Sequence, residues 1–275
     1  MNVSTTPDFI TQYRVLVGWT GDYLLLILAC WLIFVYVLLE VVQRVLHFWL
    51  PTRFGQLSHD QQRATSFKVV ECTTGFVFTI FMASLLVKRF ILQDYPDMLG
   101  VQGERVFALF LMATHIIELF YRNHIRVIMV VHHLTTLINI SLAIGVPTFW
   151  TRTYSYFLSC VGFFNAATFL LEAAMIMYRL EPKSSRTYRL IQAVTIQELI
   201  FKILQQGISA AILIWGAIYG DNAGVEIYQY VISFGSFILF MPAQFYGSYV
   251  MWCLWRKLKQ QRHADSLHEE EEVAS

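Results

Sequence analysis

Two adjacent histidines, His132 and His133, sit inside an apolar run over residues 127–146. Imidazole exchanges a proton near neutral pH and also serves as a nucleophile, so the pair is a candidate catalytic unit. Adjacent helical residues point about 100° apart, so at least one ring must face the inside of whatever bundle the helix joins. Two histidines placed in hydrocarbon for packing alone would be an unusual use of polar groups. Neighbouring runs supply further candidates: His115 and Glu118 in one, Asn165, Thr168 and Glu172 in another, Lys202, Gln205 and Gln206 in a third. A carboxylate beside an imidazole orients it and stabilises its charged form, a role open to Glu172 or Glu118. Plainer roles exist too. His115 and Glu118, three apart on one helix face, suit a hydrogen-bonded pair, and Glu172 suits a tie to Lys202 between helices. Glu40 and Glu71, near the ends of their runs, are expected to snorkel to the interface.

The elements that carry these residues follow from composition. Of 275 residues, 56% are hydrophobic and 14% charged, against roughly 25% charged in a soluble globular protein. Mean hydropathy is +0.52. A core in water could not bury that much apolar surface, so the surplus must face lipid and the chain reads as an all-α multi-pass membrane protein. A net charge of +1 gives no general attraction to nucleic acid. The four cysteines lie in or beside hydrophobic runs and read as packing residues.

Seven runs approach the roughly 20 residues needed to cross a bilayer core. They fall near 23–42, 69–87, 106–121, 127–146, 154–178, 199–220 and 230–255, the third being short. Pro242 is the one proline inside a run and predicts a kink in the last helix. The polar first ~20 residues have no basic segment leading into a short apolar core, so the first span is expected to act as an uncleaved signal anchor. Fourteen Lys and Arg gather in one set of alternate loops and the tail, and five in the other set. By the positive-inside rule the N-terminus is lumenal and the C-terminus cytosolic. Counting ~1.5 Å per residue from the cytosolic flanks, His132, His133, His115 and Glu172 lie about 10 Å deep and Glu118 about 6 Å. The sequence thus predicts one polar site in the cytosolic half of the bundle, with the lumenal half poorer in polar groups.

His132-His133-Leu134-Thr135-Thr136, with Ser141 further on, resembles the histidine-pair signature of the TLC-domain family, which includes ceramide synthases and TRAM-type translocon proteins. The stretch Asn165-Ala-Ala-Thr168-Phe-Leu-Leu171-Glu172 is similar to the segment that follows in ceramide synthases. The resemblance covers roughly residues 65–255. It implies an anchoring helix followed by a six-helix TLC-type barrel with a chamber reached from the cytosol. On that basis residues 1–64 comprise the lumenal N-terminus, first span and cytosolic loop, residues 65–255 the TLC domain, and residues 256–275 a cytosolic tail. It also implies an endoplasmic reticulum protein of lipid metabolism. Ceramide synthases carry two aspartates where this chain has Asn165 and Thr168, so the resemblance implies the fold and a lipid-related site rather than full ceramide synthase activity.

Two functional classes follow. The first is transfer of an acyl group from acyl-CoA, as co-substrate, to a membrane lipid, with His132, His133 and Glu172 as catalytic residues and His115, Glu118, Asn165, Thr168, Lys202 and Gln205 lining the substrate chamber. The second is a non-enzymatic lipid-binding regulator of membrane composition or a translocon-type accessory, favoured by the missing aspartates. A metal site would draw on His115, Glu118, His132 or His133, and Glu172. Membrane di-iron enzymes use several histidine clusters, whereas three of the eight histidines here fall within runs, so no metal or other cofactor is expected.

Overall fold

A computed structural model describes residues 23–91, 98–122, 125–145, 152–219 and 227–274. The lumenal segment expected before the first span, and residues 220–226 between the last two, lie outside them. Among the described residues every regular element is helical: α1 (Leu24–Trp49), α2 (Pro51–Gly55), α3 (His59–Leu86) closed by a π-helical turn (Val87–Ile91), α4 (Met98–Tyr121), α5 (Val127–Gly145), α6 (Arg152–Ala166), α7 (Phe169–Leu180), α8 (Ser185–Tyr219) and α9 (Ile227–Ala274).

Several helices begin well before their apolar runs. α3 starts at His59 because Ser58 and Gln61 form a capping box, the Gln61 N–H reaching Ser58 Oγ at 3.4 Å and the Ser58 N–H reaching Gln61 Oε1 at 3.0 Å. α4 starts at Met98 rather than 106 and α8 at Ser185 rather than 199. Hydropathy marks only the part of a helix that is apolar, whereas backbone hydrogen bonding continues through polar turns. Lys68 and Glu198, assigned to loops on hydropathy, are therefore helical. Pro242 lies inside α9.

The expected span 154–178 is two helices. α6 ends at Ala166 and α7 begins at Phe169, with Thr168 at φ −72° and ψ 0° between them. The Thr168 hydroxyl donates to the Asn165 carbonyl at 2.6 Å, a side-chain-to-backbone bond that competes with the helix at the break. α3 presses on this point. A Cβ built on Gly75 would lie 3.1 Å from both the Ala166 carbonyl oxygen and Phe169 Cβ, so any larger residue would push the break back by a few tenths of an ångström or more.

The helices touch in a closed order. α3 packs on α6 and α7, these on α8, α8 on α9, α9 on α5, α5 on α4, and α4 returns to α3. α1 stands outside the ring and covers the α3–α4 joint, where Val35 and Leu39 pack with Phe67, Val70 and Phe110. A second core joins Ala174 of α7, Ile191 and Val194 of α8, and Met251 and Leu258 of α9. Five stretches are long and apolar enough to cross a membrane by length and composition: Leu24–Trp49, His59–Leu86, Ser159–Leu180, Ser185–Trp215 and Phe237–Arg262. α5 adds a shorter apolar stretch, Val127–Ser141. Their outer faces expose Leu25, Ile33, Val77, Ile80, Ile203 and Trp215, the pattern of a bundle that meets lipid.

Candidate functional site

The ring encloses a cavity of about 210 Å³ whose walls draw on every helix from α3 to α9. One wall is polar and imidazole-rich. α4 brings His115 and Glu118 to one face, and α5 delivers His132 and His133 opposite them. His133 Nε2 lies 3.0 Å from Glu118 Oε2, with both side chains almost fully buried. The pair is within ion-pair distance but not aligned as a straight hydrogen bond. Arg122, one turn beyond Glu118, donates to its other oxygen. His133 Nδ1 and His115 Nδ1 are buried with no hydrogen-bond partner. The three rings form a cluster, with centroids 4.7 Å apart for His115–His133, 5.4 Å for His132–His133 and 6.0 Å for His115–His132.

Glu172 does not join them. Its Oε2 lies 2.9 Å from Lys68 Nζ, which also donates to Glu71 at 2.6 Å, so α3 and α7 are tied through one ammonium. This corrects three expectations. Glu172 pairs with Lys68 rather than Lys202, Glu71 lines the cavity rather than snorkelling, and Glu118 meets His133 and Arg122 rather than His115. Lys202 lies on α8 one turn after Glu198, buried, and donates to Gln205 Oε1 at 3.3 Å. Gln205 in turn donates to Asn165 Oδ1 at 3.3 Å. Asn165 and Thr168 thus fasten α8 and the α6–α7 break. A separate polar pair lies outside the cavity lining: Ser159 donates to Glu104 at 3.1 Å and Arg105 to the Ile144 carbonyl at 3.4 Å, so the far half is less apolar than expected.

Sequence reading missed Lys68, Glu71 and Glu198. A signal for the first two was present. The capping box at Ser58 starts a helix that carries both inward, three residues apart. Around the polar wall, the carboxylates Glu71, Glu118, Glu172 and Glu198 are matched by Lys68, Arg122, Arg179 and Lys202, Arg179 reaching Thr65 Oγ1 at 3.4 Å. At ordinary charges the two sets cancel. The imidazoles are then not needed as counter-ions and keep a lone pair able to accept a proton.

His115, Glu118 and His133 also offer ligand atoms within 4.8 Å of one another, donor types that a first-row divalent cation takes. Glu172, held by Lys68, is outside that group. Glu118 is already engaged by His133 and Arg122, and the guanidinium beside it opposes a second cation. The arrangement is better suited to proton transfer by an oriented imidazole. Comparison of the chain with protein-family models, curated proteins and solved structures finds no match.

Proposed function

We propose that this chain is a seven-span membrane protein of the TLC type that acts in lipid metabolism, transferring an acyl group from acyl-CoA to a membrane-lipid acceptor inside the helical ring. One observation carries the reading: His133, 3.0 Å from Glu118, lines a cavity among six packed helical segments and α9, and its second ring nitrogen is buried without a hydrogen-bond partner. A carboxylate-oriented imidazole removes a proton from an attacking hydroxyl or amine and returns it to the departing thiolate. Atoms balance without a cofactor: the new acyl–oxygen or acyl–nitrogen bond replaces the thioester, and the acceptor's proton leaves with the thiol. His132 and His115 support this reading by crowding the same wall, where either could hold the thioester carbonyl. Of the two carboxylates open to the orienting role, Glu118 stands beside His133 and Glu172 is held by Lys68. The cytosolic opening, lumenal N-terminus and endoplasmic reticulum location belong to the same proposal, supported by the basic-residue asymmetry.

The test is acyl transfer by purified protein in nanodiscs, supplied with radiolabelled acyl-CoA and a total microsomal lipid extract. A labelled lipid product that disappears in His133→Ala is expected. Equal product from His133→Ala and wild type would sink the proposal. The alternative, a non-enzymatic lipid-binding protein, draws on Asn165 and Thr168, which serve as helix ties here. It predicts no labelled product from wild type, with bound lipid retained in His133→Ala.

A further inference from the structure

Glu198 is the unexplained group of the cavity. It is 1% exposed, lines the chamber from α8, and neither carboxylate oxygen has a hydrogen-bond partner among the described residues. Lys202, one turn on, balances its charge at a distance without hydrogen-bonding to it; the Lys202 ammonium donates to Gln205 Oε1 at 3.3 Å. A buried carboxylate left without donors is strongly unfavourable, whereas the other carboxylates of the wall all have partners: Glu71 and Glu172 on Lys68, Glu118 on His133 and Arg122. Glu198 is therefore built for donors that arrive with a ligand. The rest of the cavity says what kind of ligand. Beyond the polar wall it is lined by Phe78, Phe107, Phe110 and Leu111, with Phe78 stacked 3.9 Å from Phe107 and 5.2 Å from Phe110 between ring centroids. A carboxylate at one part and an aromatic lining at another match an amphiphile with a donating head and an apolar chain.

We infer that Glu198 is the head-group anchor of the chamber, accepting hydrogen bonds from the hydroxyl or amine of a long-chain lipid whose tail lies along Phe78, Phe107 and Phe110. Hydroxyl and ammonium share the chemistry that the site needs, and substitution separates them. The inference deepens the acyl-transfer reading and rests on it only in naming the ligand as the acceptor; anchoring itself requires no catalysis.

The experiment is photo-crosslinking of full-length protein in phosphatidylcholine nanodiscs with three C16 diazirine probes: an alcohol, an amine and a methyl ether lacking a donor. Wild type is expected to label with the alcohol, the amine or both at least tenfold above the ether, with adducts mapping to chamber residues. Glu198→Leu is expected to lose that excess. Glu198→Gln, which keeps an acceptor oxygen and the residue's shape, is expected to retain the alcohol and lose the amine. Thermal melting checks folding: without probe Glu198→Leu should melt no lower than wild type, since it removes an unpartnered carboxylate, and added alcohol or amine should raise only the wild-type melting temperature. Equal labelling by ether and alcohol, or wild-type labelling in folded Glu198→Leu, overturns the anchor. Glu198-dependent labelling without acyl transfer leaves the anchor standing and removes the enzymatic reading. Transfer that depends on His133 but not on Glu198 does the reverse.

Discussion

Glu118 holds His133 across the joint between α4 and α5, Oε2 lying 3.0 Å from Nε2, while Arg122 takes the opposite carboxylate oxygen. The carboxylate thus has a basic group on each oxygen, and the imidazole beside it keeps a second nitrogen, Nδ1, with no hydrogen-bond partner. Glu118→Gln keeps the size of the side chain but removes the charge that stabilises an imidazolium. Acyl transfer is expected to fall by about 10²–10⁴-fold, the range of a lost general acid–base group, with little change in acyl-CoA binding. Steady-state kinetics on the nanodisc protein would show this as a fall in kcat. A variant within twofold of wild type would remove Glu118 from the mechanism.

The Lys68 ammonium serves two carboxylates from different helices, Glu71 at 2.6 Å and Glu172 at 2.9 Å. Lys68→Met strands both, and because the three groups are part-buried the cost should fall at or below the roughly 3–5 kcal/mol of a fully buried pair. Glu172→Gln leaves Glu71 to balance the ammonium and is expected to cost less. The double variant Lys68→Met, Glu172→Leu should recover part of the loss, because one stranded carboxylate is gone. Thermal unfolding in detergent is the measurement. Equal melting temperatures for wild type and Lys68→Met would mean that the tie between α3 and α7 carries no stability.

The apolar runs located the helices, and the histidine doublet located the polar wall, because both signals are local. What stayed hidden was set by partners and by helix ends. Lys68 sits at the polar start of α3 and Glu198 on the polar first half of α8, so a hydropathy window assigns both to loops even though each faces inward. The capping box at Ser58 shows that α3 begins at His59, but no local pattern shows that Lys68 lies beside Glu172, 104 positions along the chain by their numbering. Likewise His115 and Glu118 share a face and suit each other, yet the helix brought opposite decides that Glu118 meets His133 instead. Asn165 and Thr168 looked like lost carboxylates. Their use as ties, to Gln205 and to the Asn165 carbonyl, depends on a break in the helix that sequence periodicity runs through.

Gly75 and Gly207 give opposite predictions for the same chemical change. At Gly75 an added Cβ meets the Ala166 carbonyl oxygen and Phe169 Cβ at 3.1 Å, with backbone on the far side unable to swing away. Gly75→Val should force α3 off the α6–α7 break and cost about 1–3 kcal/mol, as overpacking does. At Gly207, mid-way along α8, the added atom meets nothing within 4 Å. Gly207→Ala is expected to be neutral or to stabilise by up to about 1 kcal/mol through helix propensity. Paired melting curves test both, and a Gly75→Val protein as stable as wild type would show that the close approach is not required.

The topology carries the proposal's sidedness and can be tested apart from chemistry. The seven crossings proposed would put the termini on opposite faces, and the distribution of fourteen basic residues against five supports a cytosolic tail within that proposal. The polar wall fits that orientation, since Arg122 and Arg179 stand at the ends of α4 and α7 beside segments that carry Arg126 and Lys183, and Lys68 follows Arg63 in the first half of α3. An Asn-linked glycosylation acceptor appended to the N-terminus should be modified in microsomes, and one appended after Ser275 should not. Modification of both or neither means an even number of crossings, as when one of α4 and α5 does not span. Modification of the C-terminal acceptor alone inverts the chain, opens the histidine wall toward the lumen and denies it acyl-CoA, which would end the acyltransferase reading even if the helical ring were intact.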